Sequence, residues 1–197
     1  MNKNVERGQA TRAQLIHVAT RLFTERGYDG TSVETVLAES GVSRGSLYHH
    51  FPSKDALFWA VLEAVAARAG QQLADEERDA PDPVAGLRIG CLAWIRLAGD
   101  PEVRQIALID APVVLGWQRW RELDEQGSLG WIRAALGYAA ETGSIEQRQV
   151  DTFAHIVLAA INEVALMIAR ADEPAAALSA GESAVAEFLD RLLGAAG

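Results

Sequence analysis

The chain has 197 residues, 49% of them hydrophobic and 23% charged, with a net charge of −9 and a sequence pI near 4.9. This composition excludes whole-chain disorder, supplies a sizeable core for one domain or two small ones, and suits sequence-blind coating of nucleic acid badly. Cys91 is the only cysteine, which excludes an internal disulfide and a Cys-rich zinc site.

The acidic excess is unevenly placed. Residues 1–60 hold seven Lys/Arg against six Asp/Glu, and residues 61–197 hold eleven against twenty-one. Only the first third is suited to approach a polyanion. No apolar run follows the charges of MNKNVERGQATRAQ, so no signal peptide is expected, and the cytoplasm is the expected location. His155, Asn162 and Glu163 interrupt the longest apolar stretch, Phe153 to Ala169, which argues against a membrane span.

In chain order the spacing of apolar residues is helical throughout. Residues 1–8 read as a flexible arm. Leu15, Ile16, Ala19, Leu22 and Phe23 form one stripe, ending at Gly27. Thr31-Ser32-Val33-Glu34 reads as a capping box, with Thr31 bonding forward and Glu34 reaching back, and Val33, Val36 and Leu37 follow on one face. Gly41 ends that helix in a position that calls for positive φ. Ser43 caps a third helix carrying Leu47 and Phe51; Pro52 breaks it, and Ser53 caps a fourth with Phe58, Val61, Leu62, Val65 and Ala69 in register.

The DAPDP segment, Asp79 to Pro83, is the clearest break. Beyond it the pattern predicts a helix over 84–98, one capped by Asp100 with Pro101 in its first turn and closed by Pro112 and Gly116, and a long segment over 117–141 with Gly127 and Gly130 as a place to bend. Helices over 148–170 and 175–193 complete an all-α chain of about nine helices.

Residues 32–51, SVETVLAESGVSRGSLYHHF, have the length of a helix-turn-helix, whose second helix enters the major groove of duplex DNA. At 100° per residue, an inward Leu47 places Gly45 and His49 nearly opposite it, flanked by Ser46 and Tyr48. Arg44 at the helix start can reach a guanine edge or a phosphate, and Gly45 lets the backbone come close. Thr31 and Ser32, at a helix N-terminus, are caps first and candidate phosphate ligands second. Lys54 opposes the dipole of its helix, which favours a phosphate nearby.

The run from Thr11 to about Ala69 resembles the DNA-binding domain of the tetracycline-repressor (TetR) family of bacterial transcription regulators. The resemblance lies in Leu22-Phe23, Gly27-Tyr28, Thr31-Ser32, Gly41-Val42-Ser43, Gly45, Leu47-Tyr48, His50-Phe51 and Lys54-Asp55-Ala56-Leu57. Leu37 and Ser40 depart from it, standing where the family often has alanine. The resemblance implies a three-helix DNA-binding domain over 9–69 and a helical effector-binding and dimerisation domain over 70–197. It implies a repressor that binds a palindromic double-stranded operator as a homodimer and leaves it when a small-molecule effector binds. The DNA-binding residues it implies, with the geometry above, are Thr31, Ser32, Ser43, Arg44, Gly45, Ser46, Tyr48, His49 and Lys54.

The family arranges its later helices around an effector cavity, which makes Cys91, Trp94, Ile95, Ile109, Val113, Trp117, Trp120, Trp131 and His155 candidates for ligand contact or for plain core packing. The hydrophobic pattern itself points to a partner. The helix over 153–169 is apolar nearly all round, and the last helix carries a clean stripe, so Phe153, Val157, Ile161, Val164, Ile168, Val185, Phe188, Leu189 and Leu192 are expected in a twofold four-helix interface. The chain lacks a phosphate loop, an HExxH pair and a second cysteine, so no catalytic residue, metal site, cofactor or membrane partner is expected.

Overall fold

The structure is a computed structural model that describes residues 3–194, with side chains from Val5 onward. Its elements are α1 (Lys3–Arg26), α2 (Val33–Ser40), α3 (Arg44–His50), α4 (Lys54–Glu77), α5 (Pro83–Leu97), a π-helical segment (Val103–Asp110) continuous with α6 (Ala111–Leu115), α7 (Trp117–Glu141), a 3₁₀ turn (Gln147–Gln149), α8 (Val150–Arg170) and α9 (Pro174–Leu193). No strand occurs among the described residues. The fold is all-α, as the spacing predicts.

The first three helices and the start of α4 form one small core. Leu15, Ala19, Leu22 and Phe23 are fully buried on α1, and Leu47 on α3 and Phe58 on α4 close over them. Phe23 meets Phe58 edge-on at 5.3 Å, and Tyr28 meets the same ring at 5.1 Å. Truncating either phenylalanine to alanine would cost about 3–5 kcal/mol. The helix ends are set locally. Gly27 and Gly41 both adopt left-handed φ, 69° and 67°, and the Gly41 N–H returns to the Leu37 carbonyl at 3.0 Å. Ser43 and Ser53 accept the Ser46 and Ala56 N–H groups at 3.3 and 3.1 Å, the two caps read from the sequence.

Two expectations need correction here. Residues 3–8 are not a flexible arm: they are the first turns of α1, since nothing between Lys3 and Arg26 stops a helix, while Met1 and Asn2 lie outside the described residues. The cap of α2 is Ser32, whose hydroxyl accepts the Thr35 N–H at 3.0 Å, not Thr31. The Thr31 hydroxyl instead donates inward, to the carbonyls of Leu22 at 3.1 Å and Gly27 at 2.9 Å, and stitches the end of α1 to the start of α2. The domain division expected at 69/70 falls inside α4, one unbroken helix that packs on α1, on α5 and on the π segment.

The second domain packs α5, α7, α8, α9 and the π segment together. Asp82 caps α5, with Pro83 in its first turn. Asp100 caps the next element, accepting the Glu102 and Val103 N–H groups at 2.9 and 3.0 Å. The ladder then widens: the Ala111 N–H bonds the Ile106 carbonyl five residues back, and Pro112, which has no N–H, cannot supply the next ordinary rung. α7 runs as one helix through Gly127 and Gly130. The α8 segment is long and apolar enough to cross a membrane by composition, yet half of its most apolar stretch is buried inside the fold.

That burial also accounts for part of the expected dimer stripe within one chain. Val157, Ile161 and Ile168 on α8 and Val185 and Leu189 on α9 are buried within a single chain, and Phe153, Val164, Phe188 and Leu192 pack partly against the same core. One chain covers α8 more completely than the sequence pattern suggests, because α5, α7, α9 and the π segment all reach it. Gly181 admits this closeness, since a Cβ there would meet Val164 and Ile168 at 2.9 Å. The apolar side chains left open on α8 lie elsewhere: Ile156 is 44% exposed and Met167 63%, in line with exposed Ala159.

Candidate functional site

The face expected to meet DNA is built by α3 and the helix starts around it. Leu47 points into the core with no exposure, which turns Arg44, Gly45, Tyr48 and His49 outward; Ser46 is half-buried and Ser43 exposed as the cap. A Cβ on Gly45 would meet nothing within 4 Å, so this part of the surface is open. The Arg44 guanidinium bonds the Glu34 carboxylate at 2.8 Å. Both groups are exposed and solvent-screened, so the pair exchanges readily for a phosphate or a base edge. Ser32 is exposed at the start of α2. Thr31 is 1% exposed with its hydroxyl committed inward, which removes it from the contact face.

Lys54 has a local partner that the sequence did not announce. Its ammonium sits 3.8 Å from the centre of the Tyr28 ring, and the Tyr28 hydroxyl donates to Asp55. The ring offsets the poor placement of a cation at a helix start and holds it beside the recognition helix.

The second site is a cavity of about 490 Å³ between α4 from Trp59 onward, the π segment, α5, α7 and α8. Of the nine expected effector residues, Trp94, Trp120 and Trp131 line it. The other six do not. Cys91 and Ile95 are buried beside it as core, with burial pushing the Cys91 thiol up to about 12. Ile109 packs against the core, Val113 is 80% exposed, and Trp117 lies half-exposed against the outside of Trp120. His155 faces Arg133 at 3.5 Å. The reason is rotational: in continuous helices only every third or fourth residue faces inward, and residue type alone does not set the phase.

Several lining residues escaped the sequence reading. Trp59, Leu62, Leu73 and Glu77 come from α4, Asp124 from α7 and Asn162 from α8. Trp59 and Leu73 continue the helical stripe of α4 and give the one available signal. Gly90 makes room on α5: a Cβ there would strike Trp131 at 2.7 Å and run into the Glu77 carboxylate. Asn162 organises the polar corner, accepting the Trp94 indole N–H at 3.1 Å and donating to Asp124. Burial pushes the Asp124 carboxyl up to about 6, more than the Asn162 hydrogen bond offsets. Glu77 is raised by burial as well, with a hydrogen bond from Trp131 acting against it.

The two sites are joined. α4 carries Lys54 at one end and Glu77 at the other, and Asp110 at the end of the π segment accepts the Tyr28 N–H at 2.8 Å and the Gln105 amide at 3.1 Å. Val103, Ala107 and Leu108 of that same segment line the cavity.

Comparison with known proteins agrees with this architecture. The family model described as "Bacterial regulatory proteins, tetR family" matches residues 15–61, and that described as "Tetracyclin repressor-like, C-terminal domain" matches residues 84–192. The chain is 28% identical over 144 residues to the HTH-type transcriptional regulator LmrA of Bacillus subtilis, covering 70% of this chain and 76% of that protein. It is 38% identical over 103 residues to the HTH-type transcriptional repressor Rv1474c of Mycobacterium tuberculosis, covering 47% and 54%. Among solved structures, a TetR-family transcriptional regulator from Pectobacterium atrosepticum superposes with a TM-score of 0.82 at 29% identity over 98% of both chains. With the second model spanning more than half of its length, the chain belongs to the TetR family of helix-turn-helix transcriptional regulators, which are DNA-binding proteins and not enzymes.

Proposed function

We propose that the protein is a cytoplasmic repressor that binds a palindromic duplex operator as a homodimer and is released by a small molecule held in the tryptophan-lined cavity. The observation that carries this reading is that one helix, α4, serves both sites: its first turn places Lys54 beside α3, and the rest of it, from Trp59 to Glu77, walls the cavity. A ligand that prefers a tilted α4 therefore favours a different placement of the recognition helix. Half-sites one turn apart lie about 34–36 Å from each other, so a dimer must hold two copies of α3 at that spacing. A coupling of roughly 1–3 kcal/mol lowers operator affinity about 5–150-fold.

Arg44, Ser46, Tyr48 and His49 face the groove, with Ser32, Ser43 and Lys54 on the backbone and Gly45 allowing close approach. The dimer forms through the faces of α8 and α9 that the chain leaves open, with Ile156, Ala159 and Met167 at its centre. The test is a gel shift with the protein's own upstream region against excess bulk DNA. A retarded complex that survives the competitor supports the reading, and binding that bulk DNA removes in proportion to its mass refutes it.

A further inference from the structure

The charged groups of the cavity all bear one sign. Its lining includes three carboxylates, Glu63, Glu77 and Asp124, and no Lys, Arg or His. Asp124 is the most enclosed of them, and its hydrogen bond comes from the neutral amide of Asn162. Arg121, one turn away on α7, is engaged with Glu125 at 3.3 Å. A carboxylate at the edge of an apolar chamber is short of solvation, and either a proton or a cation relieves it.

The tryptophans favour the cation. Trp94 donates its N–H to Asn162, and Trp120 donates to the Ala107 carbonyl at 2.9 Å. With those donors committed, the rings have aromatic surface left to offer a ligand, and aromatic faces attract organic cations. The chain provides its own instance at the rim, where the Arg119 guanidinium lies 4.7 Å from the centre of the Trp59 ring. An anionic ligand would meet three carboxylates, and a neutral one would leave Asp124 with only Arg121, itself paired with Glu125, as a counter-charge. The volume, about 490 Å³, suits a molecule of drug size.

We propose that the cavity takes a lipophilic organic cation, its charged head at Asp124 and its apolar body among Trp94, Trp120 and Trp131. The proposal deepens the reading of this cavity as the effector site and rests on it.

The test uses the full-length protein and two probes of one shape: (2-naphthylmethyl)trimethylammonium and its neutral carbon isostere, 2-neopentylnaphthalene. Binding is followed by calorimetry and by tryptophan quenching. The cation is expected to bind about tenfold or more tightly than the isostere, and Asp124→Asn is expected to remove most of that preference while the isostere binds the variant as before. Equal affinity for the two probes, a preference that survives Asp124→Asn, or no binding of the cation at millimolar concentration overturns the proposal. A parallel gel shift separates the two claims. If the cation binds through Asp124 but leaves the operator complex intact, the effector reading falls and the ligand class stands. If both probes release DNA equally, the effector reading stands and the ligand class falls.

Discussion

Asp110 accepts the backbone N–H of Tyr28 at 2.8 Å across 82 residues of sequence, a direct bond between the π segment that walls the cavity and the turn that ends α1. Tyr28 in turn carries the Lys54 ammonium on its ring, so the chain of contacts runs from the cavity wall to the DNA face. Asp110→Ala leaves a part-buried N–H without its acceptor and is expected to cost about 1–3 kcal/mol of stability. Its distinctive effect is on coupling: a cavity ligand should bind the variant within a few-fold of the parent yet release operator less. Operator affinity measured with and without ligand checks this, and an unchanged response would take Asp110 out of the relay.

The DNA face yields a prediction in salt. Lys54→Ala should weaken binding to operator and bulk DNA alike and flatten the log–log salt dependence by about 0.9 for the one phosphate charge lost. Tyr48→Phe should weaken both without changing that slope, because no charge is removed. Titrations at several salt concentrations decide it, and an unchanged slope for Lys54→Ala would confine Lys54 to its contact with Tyr28.

The proposed dimer surface gives two opposite outcomes. Met167 is 63% exposed, so Met167→Glu should leave the chain folded while weakening self-association by about tenfold or more. Val157 is fully buried, so Val157→Glu should destabilise the fold itself. Mass in solution and a melting curve separate the two. A Met167→Glu protein that dimerises like the parent would place the interface elsewhere.

Asp124 supplies a pH dependence whose sign is fixed by its environment. Burial pushes its carboxyl up to about 6, above its usual value. Between about pH 4 and 6 the folded protein holds a proton that the unfolded chain has lost, so stability falls as pH rises through that window, by about 2–3 kcal/mol. Asp124→Asn, which keeps an acceptor for the Asn162 amide, should therefore be the more stable protein at pH 8 and no more stable than the parent below pH 4. A permanent cation should show the reverse trend, binding more tightly as pH rises through about 6. The other groups facing Asp124 are Glu63 and Glu77 from α4 and Arg121 and Glu125 from α7, with neutral Trp94 and Asn162 from α5 and α8. A rise that persists in Asp124→Asn would assign the titration to Glu77, which burial also raises.

Much of the fold was legible because helices declare themselves locally. Gly27, Gly41, Ser43, Ser53, Asp100 and Pro52 mark helix ends through φ and capping chemistry that a few neighbouring residues determine. Leu47 fixed the outward face of α3 by simple rotation. Thr31 and Ser32 both read as caps because they have the same hydroxyl chemistry, and only tertiary placement sends Thr31 inward and leaves Ser32 as the cap. The cavity was legible in part, as tryptophans. Its polar corner joins Asp124 and Asn162, whose meeting depends on how α7 and α8 cross, and no local pattern encodes that. The dimer stripe is ambiguous for the same kind of reason: an apolar helix face looks alike whether its own chain or a second copy covers it.

The central claim is that cavity and DNA face share one equilibrium, and linkage makes it measurable in a single quantity. Affinity of (2-naphthylmethyl)trimethylammonium for the protein should be determined by tryptophan quenching, with and without saturating operator selected by the protein from random duplexes. If the ligand releases DNA through α4 and the Tyr28–Asp110 contact, operator must weaken its binding by the same factor that the ligand weakens operator binding, about 5–150-fold. Equal affinity for free and operator-bound protein would contradict the account.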